Sequence, residues 1–299
     1  MVEEEQAEQQ EGQQEEEQSE RQQELQELAI RRILVALDTS THSMAALQAA
    51  ANLAATLQAE LRGLFVEDVN LLRLAALPFA REVRWTTASR RTLDEEEMER
   101  ELQLRASQAR RALAYAAEQA EAEWSFRVVR GVVSKEVLEA ALDADLLSLG
   151  RASRTRASRV PLGSTARAAA GKAPGAVLLA RMGADLEQPI IVTYDGSPPA
   201  ERALAAAARM SQANGSNLIV LIMADPDEAP QLAEEAHDYL EPRVPHAEYR
   251  NLSSGQELVL AVERETFGLL ILGGESPILE GDELQNLLDR LDCPVMLVR

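Results

Sequence analysis

Apolar residues are arranged in two alternating ways from Ile30 to the end of the chain. Short runs of Ile, Leu and Val without internal alternation recur: "ILVAL" (33–37), "LLSLG" (146–150), "AVLLAR" (176–181), "IIVTY" (190–194), "LIVLIM" (218–223), "LLILG" (269–273) and "PVMLVR" (294–299). Strands covered by helices on both faces have this continuous pattern. Alanine-rich or amphipathic stretches separate them, predicting helices over roughly 43–58, 94–122, 134–144 and 164–172 in the first half. Ser40 or Thr41 marks the start of the first of these, and Ser134 the start of the third. Strands alternating with helices imply parallel sheet, right-handed crossovers and a doubly wound, three-layer α/β fold of Rossmann-like type.

The pattern occurs twice. Residues 33–68 laid over 190–225 at a constant offset of 157 are identical at 12 of 36 positions. Each copy reads as strand, Asp, small-residue turn, alanine-rich helix and second strand. "LLSLG" then answers "LLILG", and "AVLLAR" answers "PVMLVR". Two domains are expected, 29–183 and 187–299, each with a five-stranded parallel sheet and helices on both faces. Gly183 and Pro189 punctuate the join. Residues 1–28 hold eleven Glu and one Arg with almost no apolar residue before Leu25, and read as an acidic Glu/Gln-rich disordered tail.

Charge changes this picture in one place. The net charge of −20 divides into −10 over residues 1–28, +4 over 29–183 and −14 over 184–299. Only the middle segment favours an anion through its overall field. The general acidity argues against nucleic-acid binding, which needs basic stripes. No apolar run reaches the ~20 residues of a membrane helix, the start lacks the basic and apolar pattern of a secretory signal, and the single cysteine, Cys293, excludes an internal disulfide. The chain reads as a cytoplasmic soluble protein without membrane insertion.

The basic character concentrates in "LGRASRTRASRVPLGST" (149–165), where Arg151, Arg154, Arg156 and Arg159 lie between two glycines. In a doubly wound sheet, ligands sit beyond the carboxyl ends of the strands where strand order reverses. With the fourth strand beside the first, Asp38 and Gly150 flank that crevice. Gly150 lacks a side chain and lets a ligand approach the backbone. Gly163, Ser164 and Thr165 open a helix, with unpaired N–H groups, hydroxyls and the positive end of the dipole. Asp38 is placed to accept hydrogen bonds from a ribose or an adenine amino group. Ordinary readings exist for each residue alone: a solvated loop for the arginines, a helix cap for Gly163–Thr165, a cap of the following helix for Asp38. Their convergence in the basic segment favours an anion site.

The second copy is an internal control. Asp195 and Gly273 remain, but "GGESPILEGDELQNLL" is five residues shorter, has no Gly-Ser-Thr turn, and puts Glu280, Asp282 and Glu283 at the helix start. Carboxylates there satisfy the helix N–H groups themselves and repel phosphate, so this copy is expected not to bind a nucleotide.

On these residues, the chain over 30–299 resembles the universal stress protein family in its tandem form, with two such domains in one polypeptide. ATP-binding members carry Gly-x2-Gly-x9-Gly-(Ser/Thr) after the fourth strand. Here Gly150, Ser153, Gly163 and Ser164 keep the spacing, with serine at the second glycine. The resemblance implies an adenine nucleotide α-hydrolase-like fold and ATP, with or without Mg2+, in the first domain alone. It places adenine or ribose against Asp38 and adenine against the backbone of Val66. Arg151 and Ser153 join Gly150, Gly163, Ser164 and Thr165 around phosphates and ribose. It also implies pairing of the two last strands into an intramolecular pseudo-dimer, a further homodimer and an unidentified regulatory protein partner. No positioned catalytic base and no Walker-type lysine are evident, so slow ATP turnover at most is expected. A nucleotide-free scaffold that presents surfaces to partner proteins is the alternative.

Two further features complete the sequence. The first copy is 34 residues longer than the second between its Asp and its fourth-strand glycine, and the excess falls within 70–123. Arg81, Arg84, Trp85, Arg90 and Arg91 there suit a lid or partner segment, or a solvated loop before an amphipathic helix. His42, His237 and His246 lack ligand spacing, which argues against a zinc site.

Overall fold

The computed structural model describes residues 30–77, 81–84, 89–92, 94–151, 162–182, 189–252, 254–263, 268–274, 281–291 and 293–299. Its first half contains β1 (Arg32–Ala36), α1 (Thr41–Leu57), β2 (Glu60–Asp68), α2 (Val69–Ala75), β3 (Arg81–Arg84), β4 (Ser89–Thr92), α3 (Glu95–Gln119), β5 (Trp124–Gly131), α4 (Val133–Ala141), β6 (Leu146–Gly150), α5 (Ser164–Lys172) and β7 (Ala176–Ala180). The second half contains β8 (Ile190–Tyr194), α6 (Pro198–Asn214), β9 (Leu218–Met223), α7 (Ala229–Leu240), β10 (Glu248–Leu252), α8 (Gly255–Glu263), β11 (Leu269–Leu272), α9 (Gly281–Arg290) and β12 (Val295–Leu297).

One ten-stranded sheet runs β10-β9-β8-β11-β12-β7-β6-β1-β2-β5. All its pairs are parallel except β12–β7, where Val295, Met296 and Leu297 face Leu179, Leu178 and Val177 antiparallel. The two five-stranded sheets thus join through their last strands, as the sequence leads one to expect. Two buried clusters cover the two faces. Ala46, Ala50, Leu53, Leu113, Ala203 and Leu204 belong to one, and Val137, Ala169, Leu258 and Leu287 to the other. Each cluster spans both halves.

Helix boundaries follow local chemistry. Ser40 is the N-cap of α1 and accepts from Ser43 N at 3.1 Å; Asp94 caps α3 by accepting from Glu97 N at 3.0 Å. Ser134 does not start α4: the helix begins at Val133 behind Val132, without a side-chain cap. The segment after β2 departs from a loop-plus-helix expectation, because it adds α2 and an antiparallel β3–β4 ribbon before α3. Trp85 lies outside the described residues.

Asp145 fixes the end of the sheet opposite the candidate site. It accepts from Arg31 N at 2.9 Å, Arg32 N at 2.8 Å and Arg32 Nη2 at 3.1 Å. Burial pushes its carboxyl up, but the Arg32 guanidinium and the two N–H groups outweigh this and hold it below the usual carboxylate value. A depressed folded pKa gives stability that is full above the unfolded value of ~3.9 and is lost as pH falls through the folded value. Asp145→Asn is therefore expected to flatten the decline in urea midpoint between about pH 5 and pH 2. A wild-type-like acid profile in this variant would refute that role.

Candidate functional site

Strand order places the site. β1 pairs with β2 on one side and β6 on the other, with Val35 facing both Gly63 and Ser148. The chain leaves β1 toward β2 and leaves β6 toward β7, so order reverses between β1 and β6. Beyond their carboxyl ends lie Asp38 and Gly150, and Val66 lies on β2 at the same edge, two positions past the Leu64 carbonyl that accepts from Leu37 N at 2.8 Å. The fold brings these three residues to the same end of the sheet, at the switch point.

Asp38 holds a local turn. Its Oδ1 accepts from Ser40 N at 2.9 Å, and its own N–H donates to Ser43 Oγ at 3.3 Å. Partial burial pushes the carboxyl up, but the hydrogen bonds from Ser40 and Ser43 prevail and hold it below its ordinary value. It is therefore anionic at neutral pH. Thr39 has φ 65°, where the second half has Gly196 at φ 76°; a β-branched residue there costs roughly 1–3 kcal/mol.

The start of α5 carries the Gly-Ser-Thr turn. Gly163 is its N-cap at φ −58°, ψ 154°, with no side-chain cap hydrogen bond. Among the described residues other than its chain neighbours, nothing lies within 4 Å of where a Cβ would stand. Gly163 and Ser164 are exposed and Thr165 half-buried. The first N–H groups of α5 have no intrahelical acceptor, as at any helix start.

Two site residues have structural duties that the sequence did not disclose. A Cβ on Gly150 would overlap the His42 carbonyl and stand 2.8 Å from Ser43 N, so the first turn of α1 occupies the space left for a ligand in the sequence reading. Arg151 is 6% exposed. Its Nη1 donates to Leu288 O at 3.0 Å and its Nη2 to Leu291 O, at the C-terminal end of α9 in the other half. Ser153, Arg154, Arg156 and Arg159 lie outside the described residues.

The sequence reading missed a matching arrangement. Arg299 donates from Nη1 to Ala173 O at 3.1 Å and from Nη2 to Ala170 O, at the end of α5. Each of the equivalent helices α5 and α9 is closed by an arginine from the opposite half, through carbonyls three residues apart. A cation satisfies the terminal carbonyls and the negative end of the dipole. No local sequence signal marks such a cap, because its acceptors lie more than a hundred residues away.

The second crevice is built differently. Asp195 Oδ1 accepts from Ser197 N at 3.1 Å and Ser197 Oγ at 2.5 Å. A Cβ on Gly274 (φ 145°) would stand 2.6 Å from Asp195 Oδ2, so the carboxylate and this backbone are in close approach. Thr193 Oγ1 accepts from Gly273 N at 3.1 Å, across the β8–β11 switch point. Tyr194 is pushed up to about 12 by burial, then by the negative charges of Glu201, Glu235 and Asp195. Glu283 is exposed in the first turn of α9; Glu280 is outside the described residues. The charges of Glu201, Glu235 and Asp195 thus act on this edge, and the side chain of Asp282 lies outside the described residues.

Comparison with known proteins agrees with the fold. The model of the universal stress protein family matches residues 29–181 and again 187–268. The chain belongs to the universal stress protein family. No curated protein matches it. Among solved structures it is similar to a universal stress protein from Archaeoglobus fulgidus DSM 4304, with TM-score 0.69 and 15% identity over 89% of this chain and 97% of that one. It is also similar to a protein of unknown function from Pseudomonas aeruginosa PAO1, with TM-score 0.60 and 14% identity over 90% and 92% of the two chains. Among the described residues no helix is long and apolar enough to cross a membrane, and no group of His, Cys, Asp and Glu is placed to hold a metal ion.

Proposed function

We propose that the protein is a cytoplasmic, nucleotide-responsive regulatory module of the stress response that binds ATP, with or without Mg2+, in its first half only. The observation that carries this reading is the glycine-capped start of α5, the helix that follows β6 at the switch point bearing Asp38 and Val66. Gly163, Ser164 and Thr165 receive phosphate, the anionic Asp38 accepts from ribose or the adenine amino group, and the Val66 backbone faces adenine. Bound ATP supplies the negative charge that the α5 N–H groups lack. The domain limits, 29–183 and 187–299, follow the repeat.

The silent second half is supported by the carboxylates around Tyr194 and by the extent of the family match. The first match continues through β6 and β7 to 181, whereas the second stops at 268, before β11. One observation favours a nucleotide-free scaffold instead: Arg151 is engaged with α9.

Equilibrium dialysis with labelled ATP decides between them. A dipole worth up to ~2 kcal/mol and charge-assisted hydrogen bonds worth ~1.5–3 kcal/mol each support micromolar affinity, about 8 kcal/mol in all. One ATP per chain is expected. No retention at millimolar nucleotide would leave the scaffold reading, and two ATP per chain would refute the silent second half.

A further inference from the structure

Arg151, just after β6, and Leu162, just before α5, are both held by the last turn of α9 in the other half. The Arg151 guanidinium donates to the carbonyls of Leu288 and Leu291. Leu162 N donates to Asp289 Oδ1 at 3.1 Å. Leu162 is itself buried, 5% exposed, and immediately precedes Gly163, the N-cap of α5. The far end of α5 is closed by Arg299, also from the second half. Arg299 is in turn held through its own carbonyl, which accepts from Arg202 Nε at 2.9 Å. Both ends of α5 are thus secured by second-half residues, through hydrogen bonds to backbone groups.

We infer that the second half, silent as a nucleotide site, positions the phosphate-binding end of α5, and that Asp289 is the positioning residue. The inference rests on the reading of that helix end as the phosphate site. The geometry of an anion site at a helix start depends on where its N–H groups point, and misplacement of a donor by about 1 Å forfeits much of a hydrogen bond. Asp289 reaches the backbone one residue before the cap, so it sets that direction without touching the ligand. It also makes the coupling reciprocal: nucleotide that orders the start of α5 strengthens the hold of Asp289, and with it the last turn of α9. Nucleotide occupancy in one half is then felt in the other through α9, which is what a pseudo-dimer with one working site requires if its second half is to sense the first.

The test uses the full chain with Asp289→Ala and Asp289→Asn. The asparagine retains an Oδ1 acceptor for Leu162 N–H, while alanine removes it. Amide hydrogen exchange at Leu162 in the nucleotide-free protein reads the contact, and ATP titration reads its consequence. Asp289→Ala is expected to speed exchange at Leu162 about tenfold and weaken ATP about tenfold, with Asp289→Asn close to wild type in both. Unchanged exchange in Asp289→Ala would overturn the contact. Faster exchange with the same ATP affinity in all three proteins would overturn the positioning role. Failure of the wild type to bind ATP would instead refute the nucleotide reading, and the exchange of Leu162 would still decide whether Asp289 holds the start of α5.

Discussion

Replacing Gly163 with aspartate is expected to abolish ATP binding while leaving the protein at least as stable as before. The position tolerates the change: φ −58° and ψ 154° suit any residue, and among the described residues nothing beyond its chain neighbours lies within 4 Å of the new Cβ. Aspartate is also a favoured N-cap, better than glycine by a few tenths of a kcal/mol. Its carboxylate accepts from the N–H groups of the first turn, Thr165 and Ala166, which phosphate would otherwise engage, and it repels the ligand by charge. Loss of two charge-assisted hydrogen bonds removes ~3–6 kcal/mol, a hundredfold or more in affinity. Because the fold survives, loss of binding in this variant cannot be ascribed to misfolding. Its companion is Asp195→Ala, which removes the acceptor for Ser197 in the second half and is expected to leave ATP affinity unchanged. Calorimetric titration of both variants checks the pair. Retained affinity in Gly163→Asp, or equal losses in the two, would refute the placement of the site.

The halves, their strand order and the helix start at Ser164 were legible because each is written locally. Uninterrupted Ile, Leu and Val runs mark strands covered on both faces, and the offset of 157 repeats the unit. Strand adjacency at the switch point then follows from general rules of doubly wound sheets. The β3–β4 ribbon was not legible, since four-residue strands such as "REVR" carry no pattern distinct from a polar loop. Ser134 does not mark the start of α4 because a serine near a helix start suits N-cap and first-turn positions alike, and here it is the second helical residue.

Arg151 shows the limit more sharply. An arginine in a basic loop has the same sequence whether it meets water, a phosphate or the carbonyls of a helix in the other half. Only the antiparallel joining of β7 to β12 brings Leu288 and Leu291 within its reach. Asp289 is hidden for the same reason, as one more acid in a half with a net charge of −14. Contacts between the copies belong to neither repeat and leave no trace in either.

Gly150→Ala separates packing from ligand access, and is expected to destabilise the protein by about 3 kcal/mol, the upper end for overpacking. Its Cβ would meet backbone of the first turn of α1, the His42 carbonyl and Ser43 N. Backbone cannot rotate aside, so α1 must shift, and the bonds among Asp38, Ser40 and Ser43 shift with it. Gly273→Ala, where Pro199 O stands 2.6 Å from the added carbon, is expected to cost about as much. Gly171→Ala is the control: among the described residues nothing outside its own helix lies within 4 Å, and alanine in the last turn of α5 is expected to cost nothing relative to glycine. Urea midpoints of the three variants check this. A glycine kept only for ligand approach would accept alanine with loss of affinity and no loss of stability. The second half argues against that, because Gly273 meets the carbonyl of Pro199, the counterpart of His42, at an edge where the charges of Glu201, Glu235 and Asp195 act. The same close approach at both edges makes helix packing the first reason for the glycine, and any ligand must use the space that packing leaves.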